Sequence, residues 1–291
     1  MKYKIENELI QIMADTKGGE LQSIVKKETG IEYLWYGDAS FWGRHAPILF
    51  PIVGSLKDKQ YRYEGKSYAM SQHGFARDME FELVKKDTDE LWFERTATAD
   101  TLEKYPFEFS LQLGYKLEDN SIRVIWHVEN RDKKTMYFSI GGHPAFLCPI
   151  EKGTEQKDYY IRFNTESDVT YGKINEQGLL YDRDNKLELN YGTVRIGEHM
   201  FDEDALIFEN PDFNQIELLT PKKIPYLRVT SDMPLVGIWS PAGKQAPFVC
   251  IEPWCGRCDA VEFEGELKDR EYGFILQPGQ IFEKSYSITL L

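Results

Sequence analysis

Four cysteines are too few to give a 291-residue chain a disulfide framework, and three of them crowd into Cys250, Cys255 and Cys258. Reduced thiols are the expectation. Cys255 and Cys258 have the spacing of a zinc-ligand pair, but there is no second pair and Cys148 lies far away in the chain, so no metal is expected. Long apolar runs are also missing, and the opening MKYKIENELIQIMADT puts acidic and polar residues where a secretory leader needs an apolar core. No membrane contact and a cytoplasmic location follow as expectations. No cluster of lysine or arginine offsets a formal net charge of -13, which argues against nucleic acid as a partner. No glycine- or serine-rich linker divides the chain and no repeat of propeller or solenoid length recurs, so residues 1–291 read as one domain.

What is present is apolar surface in short alternating pieces. A hydrophobic fraction of 42% can build a sizeable core and excludes intrinsic disorder. Strand-like segments recur throughout: IQIMA, YRYEGKSYAM, LWFERTAT, FSLQLGYKL, IRVIWHVEN and YLRVTS. In FSLQLGYKLEDNSIRVIWHVEN two alternating runs flank the polar turn Glu-Asp-Asn-Ser, which predicts a β-hairpin. The best helix candidate, ADTLEKYPF, is short and stopped by Pro106. The chain is therefore mainly β, and so many strands must pack as a large antiparallel β-sandwich, because a lone sheet leaves an apolar face wet. The stretch from about Pro149 to Lys186 is expected to carry long loops on one side of the site.

Four segments join stiff backbone to reactive side chains: GRHAPILFPIVG, QHGFARD, SIGGHPAF and FVCIEPWCGRCD. His143 stands between two glycines and a proline, and His73 precedes Gly74, so both imidazoles are expected on backbone held in special conformations. Glu252 sits between an apolar run and Pro253-Trp254, where desolvation raises a carboxyl pKa and makes the group a usable base. An aromatic such as Trp254 beside a carboxylate suits a sugar, whose C–H face packs on a ring. Arg44 and Arg77 can offer planar donors to hydroxyls or a phosphate. Each feature also has a structural reading: the arginines pair with acids such as Asp78, Glu252 caps a turn, His45 and His127 serve the framework, and His199 is solvated.

Together the segments resemble the aldose 1-epimerase (galactose mutarotase-like) family, especially its shorter bacterial LacX-type branch. The resemblance spans nearly the whole chain in a fixed order: an arginine before PILFPIVG, then HGFAR, then GGHPAF, then an aspartate before an apolar strand, then CIEPW. It implies a β-supersandwich with an aldose in an open groove, and cofactor-independent isomerisation of a hexose between its α and β anomers. It also implies roles: Glu252 as base, His143 as general acid, His73 as a second histidine bonding the sugar, and Arg44 as a substrate-binding arginine. Asp204 in FDEDALIF matches the family aspartate that grips hydroxyls, with Asp202 as a nearby competitor, and Arg77 and Trp254 complete the substrate-binding set. The extra cysteines and tryptophan of FVCIEPWCGRCD depart from typical galactose mutarotases. Hexose-6-phosphate mutarotation and a non-catalytic sugar sensor stay open as alternatives, as does glycoside hydrolysis, which needs two flanking carboxyls. Neither composition nor motifs decide between monomer and homodimer.

Overall fold

The computed structural model describes residues 1–291, and its framework is two large antiparallel sheets. One has nine strands, in the order Thr193–Arg195, Tyr160–Phe163, Gln215–Leu219, Pro225–Thr230, Ile281–Leu290, Ser121–Asn130, Phe109–Glu118, Glu90–Thr96 and Glu82–Lys86. The other runs from Leu180–Leu187 through Val169–Ile174, Leu206–Glu209, Leu235–Trp239, Phe248–Cys255 and Ile140–Gly142 to Ile48–Leu49, with Ala145–Leu147 also paired to Phe248–Cys255. Their inner faces share one apolar core: Ile122, Val124, Trp126 and Val128 from the first sheet pack in the same cluster as Val236, Ile238, Val249 and Ile251 from the second. A large antiparallel sandwich is thus the fold. A four-stranded sheet at the start of the chain, Lys2–Glu6 to Ile31–Glu32, adds to that core through Ile5, Ile12 and Ile24.

Local sequence explains most elements directly. Ile10–Asp15 alternates buried and half-buried residues, as a strand with one face on the core must. The hairpin expected from FSLQLGYKLEDNSIRVIWHVEN forms, with Glu118 opposite Ser121 and Asp119 turning the chain at φ +53°. Asn120 ties this turn to the last strand by donating its side-chain N–H to Leu290 O at 2.7 Å. The helix spans Ala99–Lys104 and starts with a capping box in which Thr98 and Thr101 exchange side-chain-to-backbone hydrogen bonds.

Two expectations need correction. The segment from Pro149 to Lys186 contains the strands Tyr160–Phe163 and Val169–Ile174 and most of Leu180–Leu187 rather than a set of long loops. Leu180–Leu187 is an outer strand with mostly exposed or half-exposed residues, so its sequence YDRDNK lacks the apolar alternation that marks strands closer to the core. Gly141 and Gly142 are not there for unusual backbone angles, since both sit within the strand Ile140–Gly142 and neither has positive φ. They are there for space. A Cβ on Gly142 would lie 2.8 Å from the Tyr286 hydroxyl oxygen and 3.3 Å from the Trp126 ring, and one on Gly141 would lie 2.5 Å from the Trp254 ring.

Gly142→Ala should therefore overpack a rigid wall and destabilise the protein by about 1–3 kcal/mol, read as a lower urea midpoint at unchanged m-value. An unchanged midpoint would show that Tyr286 and Trp126 yield freely.

Candidate active site

The strand Phe248–Cys255 is buried along its whole length, and its two faces do different things. Val249, Ile251 and Cys255 point into the core between the sheets. Phe248 and Cys250 pack in a second cluster with Trp35 and Ala145, and Trp254 packs in a third with Leu49 and Cys258. Glu252 shares the face of Cys250 and Trp254, because side chains two residues apart in a strand lie on one side. That face is the wall of a pocket of about 240 Å³ whose lining includes Trp42, His73, Arg77, His143, Asp204, Trp239, Glu252 and Trp254.

The central pair is His143 and Glu252, with Nε2 and Oε2 3.3 Å apart and both side chains almost fully buried. Burial pushes the Glu252 carboxyl well above the usual range, with the Asp204 charge adding to the effect, and pushes the His143 imidazole down to about 3. Burial thus favours the uncharged form of each group, and the pair in that state shares one transferable proton. It can be arranged as carboxylic acid and neutral imidazole, or as carboxylate and imidazolium, and the two arrangements carry the same net charge. Trp42 stacks on His143 with ring centroids 4.7 Å apart, while Trp239 and His73 meet it edge-on at 5.5 and 5.7 Å. The imidazole is boxed in by rings, one of which offers its face to a positive charge.

His73 has a fixed proton arrangement. Its Nδ1 accepts a hydrogen bond from the Gly54 backbone N–H at 3.1 Å, while its own backbone N–H donates to Gly54 O at 2.9 Å. An Nδ1 that accepts cannot carry a proton, so the neutral ring carries it on Nε2. Burial, with the neighbouring His143, drives its pKa well below the ordinary value. Its backbone stands at φ +67°, and Gly74 follows at +70°, where an added Cβ would lie 2.3 Å from Phe50 O. The stiff backbone expected around this histidine is present. Asp204 is likewise at φ +71° and accepts a 2.8 Å hydrogen bond from Ala205 N–H. Although this residue is exposed at the rim, protein crowded around its carboxyl raises the pKa. Two non-glycine residues of one pocket in the left-handed region mark it as a place where ordinary backbone preference was overridden.

The other predicted residues divide. Asp202 is outside the pocket and pairs with exposed His199 at 2.7 Å. Arg77 lines the pocket, with its Nη2 donating to Gln72 O at 2.8 Å and its pKa lowered to about 10 by burial. Arg44 lies in an adjoining groove that meets the pocket at Trp42 and Arg77, and its guanidinium is paired with Asp78 at 2.8 Å. From there its charge still lowers the pKa of both His73 and His143. A larger hollow of about 490 Å³, lined by polar groups such as Glu155, His199 and Asp202, contains none of the other predicted residues.

Sequence reasoning missed Trp42, Trp239, Gln72 and Gly237. Trp254 lies flat because glycines flank it on both neighbouring strands: a Cβ on Gly141 would lie 2.5 Å from its ring and one on Gly237 2.4 Å. Gly237 inside the apolar run LVGIW was a readable sign, since glycine within a strand often marks a close approach. Six buried side-chain polar atoms in the protein have no hydrogen-bond partner, and four belong to pocket residues: Arg77 Nε, His143 Nδ1, Glu252 Oε2 and Trp254 Nε1. Such groups are costly to leave unpaired and mark a surface shaped for polar ligand atoms. For a metal, His143, Cys250 and Glu252 bring donor atoms within 4.8 Å of one another. Burial raises the Cys250 thiol well above its usual pKa, so at rest it is a thiol and not a thiolate. Cys255 and Cys258 face different clusters and form no ligand pair.

Comparison with known proteins gives the family. The family model described as aldose 1-epimerase matches residues 1–289. This chain belongs to the aldose 1-epimerase family. It is 34% identical to the chromosomally encoded protein LacX of Lactococcus lactis subsp. lactis over the full length of both chains. The structure of a galactose mutarotase related enzyme from Lactobacillus acidophilus superposes with a TM-score of 0.94 at 34% identity, covering 100% of this chain and 97% of the other. A galactose mutarotase-like protein from Lactobacillus casei gives 0.91 at 30% identity over the whole of both chains. The family is one of sugar epimerases and mutarotases, so a sugar isomerase is the class of protein in hand.

Gly237→Ala should push the Trp254 ring off the sheet and into the pocket. The expected result is a red-shifted or quenched tryptophan emission and, on the sugar-binding expectation, an affinity at least tenfold weaker in titration; unaltered affinity would separate Trp254 from binding.

Proposed function

We propose that the protein is an aldose 1-epimerase that interconverts the α and β anomers of a hexose, with residues 1–291 acting as one catalytic domain. The observation that carries this reading is the buried pair of Glu252 and His143, 3.3 Å apart in a pocket lined by aromatic side chains. Mutarotation needs a proton taken from the anomeric hydroxyl and another given to the ring oxygen, after which the pyranose opens to an aldehyde. One carboxylate and one imidazolium do both. Glu252 takes the O1 proton, His143 gives its proton to O5, and the C1–O5 bond breaks as the C1=O1 double bond forms. This leaves a carboxylic acid and a neutral imidazole, the arrangement that burial of both groups favours. Rotation about C1–C2 presents the other carbonyl face, and closure returns both protons, so protein and sugar composition are unchanged.

The remaining groups are assigned roles that their geometry supports. His73, with its proton held on Nε2, donates to a sugar oxygen and does not titrate in the cycle. Trp42, stacked on His143, stabilises the imidazolium form. Asp204 accepts from sugar hydroxyls at the rim and, by its charge, strengthens Glu252 as a base. Trp254 offers a flat apolar surface to the C–H face of the ring. Arg77 donates to oxygens with its unpartnered Nε, and Arg44 is assigned to the groove beyond it.

Anomer exchange followed by NMR over free and 6-phosphorylated aldoses tests the reading and reports sugar preference. Glu252→Gln and His143→Asn should each slow exchange by about 10²–10⁴-fold while remaining folded. Sugar binding without any acceleration by the wild type would make it a sensor, and wild-type rates in either variant would remove the proposed pair. Glu252→Gln should also raise the melting temperature at neutral pH. A carboxyl whose folded pKa is raised stabilises the fold below the unfolded pKa and loses that contribution as pH rises through the folded value, so removing it relieves folding at pH 7.

The pH dependence of kcat/KM gives a separate check. The pair loses its base only when it takes up a second proton, and that occurs as pH falls toward the lowered His143 value of about 3. Activity should hold between pH 7 and pH 5, as far as the fold survives; an acid limb near pH 6.5 would mean that His143 titrates as an ordinary histidine.

A further inference from the structure

Cys250 has no part in the proton transfers, yet it is buried beside both groups that make them. It stands two residues before Glu252 on the same face of Phe248–Cys255, while His143 follows the neighbouring strand Ile140–Gly142. The Cys250 sulfur, a His143 ring nitrogen and a Glu252 carboxylate oxygen all lie within 4.8 Å of one another, and Glu252 Oε2 is buried without a hydrogen-bond partner. Around a tetrahedral zinc ion, ligand atoms at the usual bond lengths stand about 3.3–3.8 Å apart. His143 and Glu252 already meet that spacing at 3.3 Å, so side-chain adjustments of roughly 1 Å would bring in the sulfur. The fourth position faces the pocket, because His143 and Glu252 both line it.

We propose that Cys250, His143 and Glu252 form an inhibitory site for a thiophilic divalent cation such as Zn²⁺. One sulfur, one imidazole nitrogen and one carboxylate oxygen select such an ion over Mg²⁺ or Ca²⁺, which prefer all-oxygen shells. Binding makes three metal–ligand bonds and releases the thiol proton and the carboxyl proton to solvent, with no change in oxidation state. The ion then occupies the nitrogen and the carboxylate that anomer exchange requires. The inhibitory part rests on the epimerase reading above; the binding part does not.

The test uses the full-length reduced protein. Co²⁺ titration should give one equivalent of binding with a near-ultraviolet thiolate-to-metal absorption band, and Zn²⁺ should displace the Co²⁺ and stop anomer exchange, while Mg²⁺ at the same concentration does neither. Cys250→Ala should lose the band, need at least tenfold more Zn²⁺ for half-inhibition and keep its uninhibited exchange rate, whereas Cys258→Ala should behave as wild type. If circular dichroism shows Cys250→Ala unfolded, Cys250→Ser takes its place with the same expectations. No Co²⁺ band in the wild type, a band that survives loss of Cys250, or equal Zn²⁺ inhibition with and without the thiol would overturn the site. A band in a protein that never accelerates anomer exchange would instead sink the epimerase reading and leave the metal site standing.

Discussion

A carboxyl and an imidazole held 3.3 Å apart, with almost no exposed surface on either, constrain everything around them. Removing water from both groups penalises charge on each, so moving one proton between the partners costs less than adding a net charge to the pair. In water an imidazole and a carboxylate would titrate separately, and the link between giving and taking would be lost. The surrounding structure can be read as the means of keeping that pair dry, close and aligned.

The means are mostly strand packing. Glu252 comes from the middle of a strand buried on both faces, and His143 comes from the end of its neighbour, so main-chain pairing of the two strands sets their separation. Rings then close the box around the imidazole, and two glycines let Trp254 lie flat across the sheet. Close packing of this kind leaves little room for rearrangement, which suits the proposed reaction, whose groups must return to the same positions after every proton exchange. The left-handed backbone at His73 and Asp204 costs stability locally and is held in place by that rigid wall.

The charges around the pocket bear on which sugar the proposed reaction would use. Arg77 is in the wall, Arg44 is one step away in a groove that already pairs it with Asp78, and Asp204 stands on the opposite count. The pocket therefore balances its charges locally even though the chain as a whole is strongly negative. On the proposed reading, neutral sugar hydroxyls would meet donors and acceptors of both signs there, and an anionic substituent would have to reach toward the two arginines.

Much of this was legible in the chain itself. Period-two alternation determined that the protein is built of antiparallel strands, and the short segments HGFAR, GGHPAF and CIEPW carried the chemical groups that line the pocket, because local backbone and residue type are properties of neighbouring residues. Other features were not local. The outer strand Leu180–Leu187 has no apolar alternation to announce it, Gly141 and Gly142 owe their identity to Trp254 and Tyr286 from distant strands, and Arg44 looks from its neighbours like a pocket residue but stands in the next groove. The choice between Asp202 and Asp204 as a wall residue, the proton on His73 Nε2 and the presence of Cys250 beside the pair were likewise decided only in three dimensions. Each depends on distances between residues far apart in the chain, and those distances exist only after strand pairing and sheet packing have set them.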